Sequence, residues 1–264
     1  ECLSKGYKSC IKKRCVKGSL FASVVRVFSM KFHKMINVYK NVYAFITPSE
    51  FLKKKLSLNG FEEKRIHCIP TFTASKTTIG KQQIGSYGLY FGRVTEEKGV
   101  ETVIKAYEKL PEYTVKIMGD DTTDEAKRLK KYVENHKMKN VEFLGFKSGA
   151  ELENVIKGAR FTLIPSIWYD NLPNTALESF QYSKPVIASN IGSLPELVID
   201  GENGYLFKPS NVEDLIKKIK MLDDDTLVKK MGQASRKRLE SRFAPQTHYE
   251  DLMKIFNEAV KSRK

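Results

Sequence analysis

Three stretches of this 264-residue chain concentrate groups able to handle an anion. The first is Phe91-Gly92-Arg93-Val94-Thr95-Glu96-Glu97-Lys98-Gly99, with Arg93 and Lys98 on either side of a short loop. Two fixed cations there would hold a diphosphate and neutralise the charge it gains as a leaving group. Taken alone, the segment reads equally as a strand-to-helix loop with solvated charges. The second runs from Pro165 to Glu178 and sets two carboxylates, Asp170 and Glu178, eight residues apart. A helix starting near Pro173 would put Asn174 and Thr175 in its first turn, where backbone N–H groups lack intrahelical partners and attract phosphate. Glu178 would then face the same cleft and accept hydrogen bonds from vicinal hydroxyls. The third, Asn190-Ile191-Gly192-Ser193-Leu194-Pro195-Glu196, has a glycine that lets backbone approach a ligand; by itself it is only a turn.

These stretches are useful only if strand ends hold them, and the pattern from Tyr87 onward supplies strands. Gly88–Phe91, Thr114–Met118, Val141–Leu144, Phe161–Pro165, Pro185–Ala188 and Tyr205–Phe207 read as short apolar strands. Between them, Gly99–Leu110, Asp124–Lys137, a helix opened by the capping box Ser148-x-x-Glu151, and Pro173–Tyr182 read as amphipathic helices. A Pro195-led helical turn and the turn cluster Asp200-Gly201-Glu202-Asn203-Gly204 precede the last strand, and two or three helices close the chain. The expected fold is α/β: a Rossmann-like, doubly wound parallel sheet with ligands at the carboxyl ends of its strands.

Upstream, Val42–Ile46, Ser49–Asn59 and Arg65–Pro70 read as strand, helix and strand, with Ser49 placed to cap the helix. Residues 1–40 read as basic, helical and partly amphipathic, with Leu20, Val24, Val27 and Phe28, then Met35 and Val38, at helical spacing. The polar stretch 71–86 makes the best linker. The formal net charge is +15, and residues 1–76 hold 16 Lys/Arg against 4 Asp/Glu. A basic face of this kind suits an anionic membrane surface, although a lysine-rich solvated surface explains it as well. Nucleic acid is not expected, for want of any zinc-finger, RNP or basic-heptad pattern. Cys2, Cys10, Cys15 and Cys68 make no convincing disulfide framework, so a reducing, cytoplasmic compartment is expected. Free thiols are favoured over a metal site of Cys2, Cys10, Cys15 and His33, which has no C-x-x-C pair. No run reaches the roughly 18–20 apolar residues of a membrane span. Asp223-Asp224-Asp225 is formally a D-x-D, but its place between helices favours a solvated charge cluster.

In combination the motifs GRVTEEKG, DNLPNTALE, SKPVIASNIGSLPELV and DGENGYLF resemble the donor-binding domain of a large retaining glycosyltransferase family. That family, glycosyl transferases group 1, is of the two-Rossmann-domain (GT-B) type and includes bacterial mannosyl- and glucosyltransferases and sucrose-phosphate synthases. The resemblance spans roughly 87–257, and FITPSEFLKKKL with KRIHCIPTF resembles the stretch closing the family's acceptor domain. It implies residues 1–72 as a partial remnant of the N-terminal Rossmann-like domain and 73–86 as linker. Residues 87–244 would be the nucleotide-sugar donor domain and 245–264 a helix packing back toward the N-terminal part. The opening residue, Glu1 rather than Met, suggests a piece of a longer sequence, and the fragment is expected to transfer little sugar alone.

The resemblance also implies roles. Arg93 and Lys98 would contact the donor diphosphate, with Gly92 ending the strand before them. Backbone amides of Asn174 and Thr175 would touch the same diphosphate. Glu178 would hold the ribose hydroxyls, Asp170 would contact the transferred sugar near the reacting carbon, and the base would pack near Gly145 and Phe146. The family usually has Glu where this chain has Asp170, which shortens the reach by a methylene, and Ser193 stands where a second glycine is common. The implied chemistry is metal-independent, cofactor-free transfer with retention from a nucleoside-diphosphate-sugar to a glycan or lipid-linked acceptor, in cell-surface polysaccharide or glycolipid synthesis. Two other readings are a non-catalytic nucleotide-sugar-binding module and a basic protein binding nucleic acid through residues 1–40.

Overall fold

Strand-length apolar segments that bury both faces must lie in a sheet covered on both sides. In the computed structural model, which describes residues 7–73 and 83–262, this is how residues 87–207 are arranged. Strands β3 (Tyr87–Phe91), β4 (Thr114–Met118), β5 (Val141–Gly145), β6 (Ala159–Ile164), β7 (Val186–Ser189) and β8 (Gly204–Phe207) form one six-stranded sheet. Every pairing is parallel, in the order β5-β4-β3-β6-β7-β8. The chain therefore builds outward from β3 to β5, then returns to the other side of β3 at β6. The carboxyl ends of β3 and β6 flank the point where the order reverses, the natural crevice of such a sheet.

Alternate residues feed opposite faces. Tyr90, Leu163 and Ile187 join one core with Val103, Ile104 and Tyr107 of α4 (Val100–Glu108), Leu129 of α5 (Asp124–Asn135) and Leu215 of α9 (Val212–Lys220). On the other face Ile164, Val186 and Ala188 pack with Leu177 and Phe180 of α7 (Asn174–Gln181), Leu194 of α8 (Leu194–Leu197) and Leu239 of α10 (Asp225–Arg242). Leu89, Phe91 and Met118 pack with Ile156 of α6 (Gly149–Lys157). Phe180 and Phe207 are fully buried, each stabilising the fold by about 1.5–3 kcal/mol relative to exposure.

The chain divides into two compact units, 48–51 with 69–253 and 1–47 with 52–68 and 254–264. In the latter, α1 (Lys8–Lys12) and α2 (Leu20–Met35) precede a two-stranded parallel sheet of β1 (Phe45–Thr47) and β2 (Ile66–Cys68). Helix α3 (Glu50–Ser57) and the closing α11 (Pro245–Lys261) each run across the division. Pairing limited to Phe45↔Ile66 through Thr47↔Cys68 makes both strands shorter than their apolar runs suggest. Of the apolar face expected on what is α2, Val27 is buried, whereas Leu20, Val24, Phe28 and Met35 are exposed. Val38 falls beyond the helix, after a left-handed Asn37 (φ 50°). The main neighbours of α2 are the five-residue α1 and the short turn at Val38–Asn41, too little surface to cover both faces of a 16-residue helix.

Other expectations need correction. Ser148 is the N-cap residue of α6, but its side chain makes no cap hydrogen bond, and Glu151 pairs with Lys147 at 3.6 Å. The Asp223–Asp225 run is exposed to solvent, as expected, but each of its carboxylates also has a partner. Asp223 accepts from the Tyr113 hydroxyl (2.6 Å), Asp224 caps α10 through the Thr226 amide (2.8 Å), and Asp225 pairs with Arg160 (2.5 Å). Most of the expected linker, 74–82, lies outside the described residues, as does Cys2. Among the described residues, no three His, Cys, Asp or Glu are grouped to hold a metal, and no helix is long and apolar enough to cross a membrane.

Candidate donor site at the sheet's crossover

The loop after β3 turns sharply because of its glycines. Glu96–Lys98 forms one 3-10 turn, and Gly99 follows in the left-handed region (φ 68°) before α4 begins. A Cβ at Gly99 would lie 2.1 Å from the Pro165 carbonyl oxygen, so only glycine lets the loops after β3 and β6 come this close. The Ile167 amide donates to the Glu97 carbonyl (3.0 Å) and fastens the two loops together. Lys98 and Asp170 consequently meet, with Nζ 2.5 Å from Oδ1. Their side chains keep 19% and 13% of their exposure, so the pair is largely shielded from water. The other oxygen of Asp170 accepts a short hydrogen bond from the Ser166 hydroxyl.

These residues line one cavity of about 230 Å³ at the crossover. Gly92, Arg93, Lys98, Asp170, Asn174 and Thr175 all face it, joined by Tyr90 and Asn171. Arg93 is exposed, whereas Lys98 is half-buried. Burial pushes the Tyr90 hydroxyl far up, aided by the Asp170 charge, and the protonated group donates to the Arg93 carbonyl (2.5 Å). Pro173 is the N-cap of α7, so the amides of Asn174 and Thr175 stand in its unsatisfied first turn. Such a terminus beside two cations is a place for a doubly charged anion.

The 170–173 loop carries a non-glycine residue in the left-handed region, Leu172 (φ 58°). The buried Ser193 hydroxyl holds it there. It accepts from the Leu172 amide (2.7 Å) and donates to the Asp170 carbonyl (2.7 Å). Gly192 adds a close approach, since a Cβ there would lie 3.1 Å from the same carbonyl oxygen. The serine in place of a second glycine is therefore a clamp, and backbone approach is preserved beside it. Pro48–Phe51 pack with this unit. Ser49 donates to the Asn171 side chain (2.8 Å), and the amides of Glu50 and Phe51 donate to the Glu196 carboxylate (2.8 and 2.6 Å).

Three expected residues do not line the cavity. Glu178, one turn into α7, is half-buried, and burial raises its carboxyl above the ordinary carboxylate range. Gly145 ends the edge strand β5, two strands from β3, and Phe146 is 73% exposed. Sequence reasoning missed Ser166, Asn171 and the clamping role of Ser193. Ser166 had a signal, standing four residues before an acid directly after a strand.

A family model for glycosyl transferases group 1 matches residues 75–238. A glycosyltransferase of Methanocaldococcus jannaschii is 30% identical over 174 residues, covering 66% of this chain and 48% of that protein. Glycogen synthase of Mycobacterium tuberculosis is 31% identical over 186 residues, covering 67% of this chain and 42% of the enzyme. The chain thus spans about half the length of the curated relatives it matches. Among solved structures, Anabaena HepE in complex with UDP and glucose superposes with a TM-score of 0.73 at 20% identity, covering 81% of this chain and 63% of that one. The chain belongs to the glycosyl transferases group 1 family, and its six-stranded parallel sheet is a Rossmann-like domain of the GT-B type.

Proposed function

We propose that this chain binds a nucleoside-diphosphate-sugar and serves a retaining, metal-independent glycosyltransferase. The observation that carries the reading is the shared cavity at the sheet's crossover, where Arg93, Lys98 and the first turn of α7 converge with Asp170. Arg93, Lys98 and the amides of Asn174 and Thr175 bind the diphosphate and stabilise its charge as the glycosidic bond breaks. Protein cations there do the work that Mg²⁺ does in other transferases. Asp170 lies beside Lys98, at the sugar end of the diphosphate, and contacts the transferred sugar near its reacting carbon. Glu178 accepts from the ribose hydroxyls, and the base packs toward Gly145 and Phe146.

The acceptor in this reading is a glycan or a lipid-linked sugar, in polysaccharide or glycolipid synthesis. The polysaccharide-building name of the glycogen synthase relative supports that class. The basic N-terminal unit suits an anionic membrane surface on the cytoplasmic side, with Phe21, Phe28 and Met35 exposed on α2 beside Arg26, Lys31 and Lys34.

Calorimetric titration with UDP, GDP and ADP, in the presence and absence of EDTA, tests the reading. One diphosphate should bind equally well in both conditions. Absence of binding by all three, or binding only after Mg²⁺ or Mn²⁺ is restored, would overturn it.

A further inference from the structure

We propose that Trp168, flanked by Ile167 and Tyr169, is an apolar platform for a pyranose ring of the acceptor, at the lip of the donor cavity. The proposal rests on the donor-binding reading above and adds the subsite beyond it. Its basis is a mismatch between backbone and side chains in one loop. The backbone is fastened at many points. The Ile167 amide bonds to Glu97, the Asp170 amide turns back onto the Trp168 carbonyl (2.9 Å), and the Asp170 carbonyl accepts from Ser193. A Cβ at Gly192 would lie 3.2 Å from the Tyr169 Cα, so the chain is packed closely there as well.

Yet this fixed backbone turns three consecutive large apolar side chains to solvent, Ile167 at 39%, Trp168 at 62% and Tyr169 at 56% exposed. Scattered apolar residues on a surface are ordinary, but a contiguous set on an ordered loop marks a binding surface. The set immediately precedes Asp170, and Trp168 itself stands outside the cavity walls. The Trp168 ring is therefore open to a group that arrives after the donor has filled the cavity, while Tyr169 beside it is braced against Phe51, ring centroids 5.1 Å apart.

A sugar ring is the occupant this chemistry fits. The indole face is electronegative, and a pyranose presents a face of weakly positive C–H groups with its hydroxyls directed around the rim. Stacking buries that face and leaves one hydroxyl pointing toward Asp170 and the reacting carbon. A rigid side chain with two torsions makes this contact at little entropic cost.

Trp168 is the chain's one tryptophan beside 12 tyrosines, so emission excited at the red edge of the absorption band, where tyrosine does not absorb, reports on it alone. The chain is first saturated with the diphosphate that calorimetry identifies. It is then titrated with methyl glucopyranosides, mannopyranosides and galactopyranosides in both anomeric forms, and separately with anionic phosphatidylglycerol vesicles. At least one pyranoside should change the emission. By saturation-transfer NMR, Trp168→Ala should weaken its binding about fivefold or more, with Trp168→Phe retaining most of it. Both variants should keep the wild-type melting temperature and bind the diphosphate within about twofold of wild type, because Trp168 is exposed and outside the cavity. Emission that ignores every pyranoside while the diphosphate binds would overturn the platform, as would equal sugar binding by Trp168→Ala. A response to vesicles alone would assign the lip to lipid instead and overturn it too. Failure of the wild-type chain to bind any diphosphate would fall on the donor-site reading.

Discussion

Lys98 and Asp170 are 72 residues apart in the chain, and their side chains meet at 2.5 Å across the crossover of the sheet. In the donor-binding function proposed above, the contact neutralises a cation needed for phosphate. A diphosphate must therefore draw Lys98 away from Asp170, and Asp170 must find another partner, for which the Ser166 hydroxyl and a sugar hydroxyl are at hand. The pair is shielded enough that removing one member leaves the other poorly compensated.

Substitution of the two partners should act in opposite directions on a free nucleoside diphosphate. A charge-assisted contact contributes about 1.5–3 kcal/mol, so Lys98→Ala should weaken binding by roughly tenfold or more. Asp170→Asn releases Lys98 and should leave this affinity equal or tighter, while weakening binding of the intact sugar donor. Calorimetry with diphosphate and diphosphate-sugar separates the two. Equal losses for the free diphosphate in both variants would show that the roles are misassigned.

Glu178 sets binding against stability. Burial raises its pKa, so the ionised carboxylate is disfavoured in the folded chain. For a raised acid, the folded state is favoured while the group is protonated, and that contribution is lost as pH rises through the folded pKa. Glu178→Gln removes the loss, so the variant should melt at a higher temperature than wild type at neutral pH, with the gap closing in acid. The same variant should bind nucleoside diphosphate more weakly if the carboxylate holds the ribose. A stabler variant with undiminished binding would leave Glu178 a structural residue.

The sheet was legible because its strands are short, apolar and punctuated. Thr114–Met118 is read to the residue, and the other strands of the large sheet to within two. The segments after β3 and β6 were legible because cations, acids and a proline-started helix are local signals. What lies between those segments was not. That Gly99 admits the Pro165 carbonyl, or that Ser193 reaches back to Asp170 and Leu172, depends on which loops become neighbours. Periodicity along one chain carries no such information. Capping rules failed at Ser148 for a related reason, since the motif states what a side chain is able to do and tertiary packing decides whether it does. In the first unit, the apolar spacing of Leu20, Val24 and Phe28 showed the helix correctly but not which of its faces would be covered.

Lys184 illustrates the same limit, for nothing around it in sequence marks a buried lysine. Its ammonium donates to the carbonyls of Gln83, Lys157 and Ala159 at 2.6–2.7 Å. Burial pushes its pKa down from 10.5 to about 8. A depressed base contributes stability that is present above the unfolded pKa and lost as pH falls through the folded one. Lys184→Met takes this donor from three carbonyls, of which that of Ala159 is buried, and a buried acceptor left unsatisfied costs about 1–3 kcal/mol. The variant should therefore melt lower than wild type, and the gap should widen as pH rises from about 8 toward 10.5. Thermal melts across that window check it; a gap that narrows would mean the ammonium stays charged in the folded chain.

Ser193 offers the sharpest test of how the site is held. Its hydroxyl is fully buried and satisfies two backbone groups of the loop that carries Asp170, one of them on the left-handed Leu172. Ser193→Ala removes both bonds without adding bulk: the Leu172 amide is left buried without its acceptor, at about 1–3 kcal/mol, while the Asp170 carbonyl keeps the backbone amide of position 193 at 3.3 Å. A left-handed leucine costs of order 1–3 kcal/mol and persists only when its surroundings over-determine it, so the loop should relax. Relaxation moves Asp170 relative to Lys98 and uncouples the pair. The expected outcome is a lower melting temperature together with a loss in sugar-donor affinity larger than that in free diphosphate affinity, because Asp170 and not Lys98 is displaced. Ser193→Thr keeps the hydroxyl and should recover donor affinity where the extra methyl fits. If Ser193→Ala lowers stability and leaves both affinities unchanged, the clamp serves the fold alone and the position of Asp170 is set by Ser166 and Lys98.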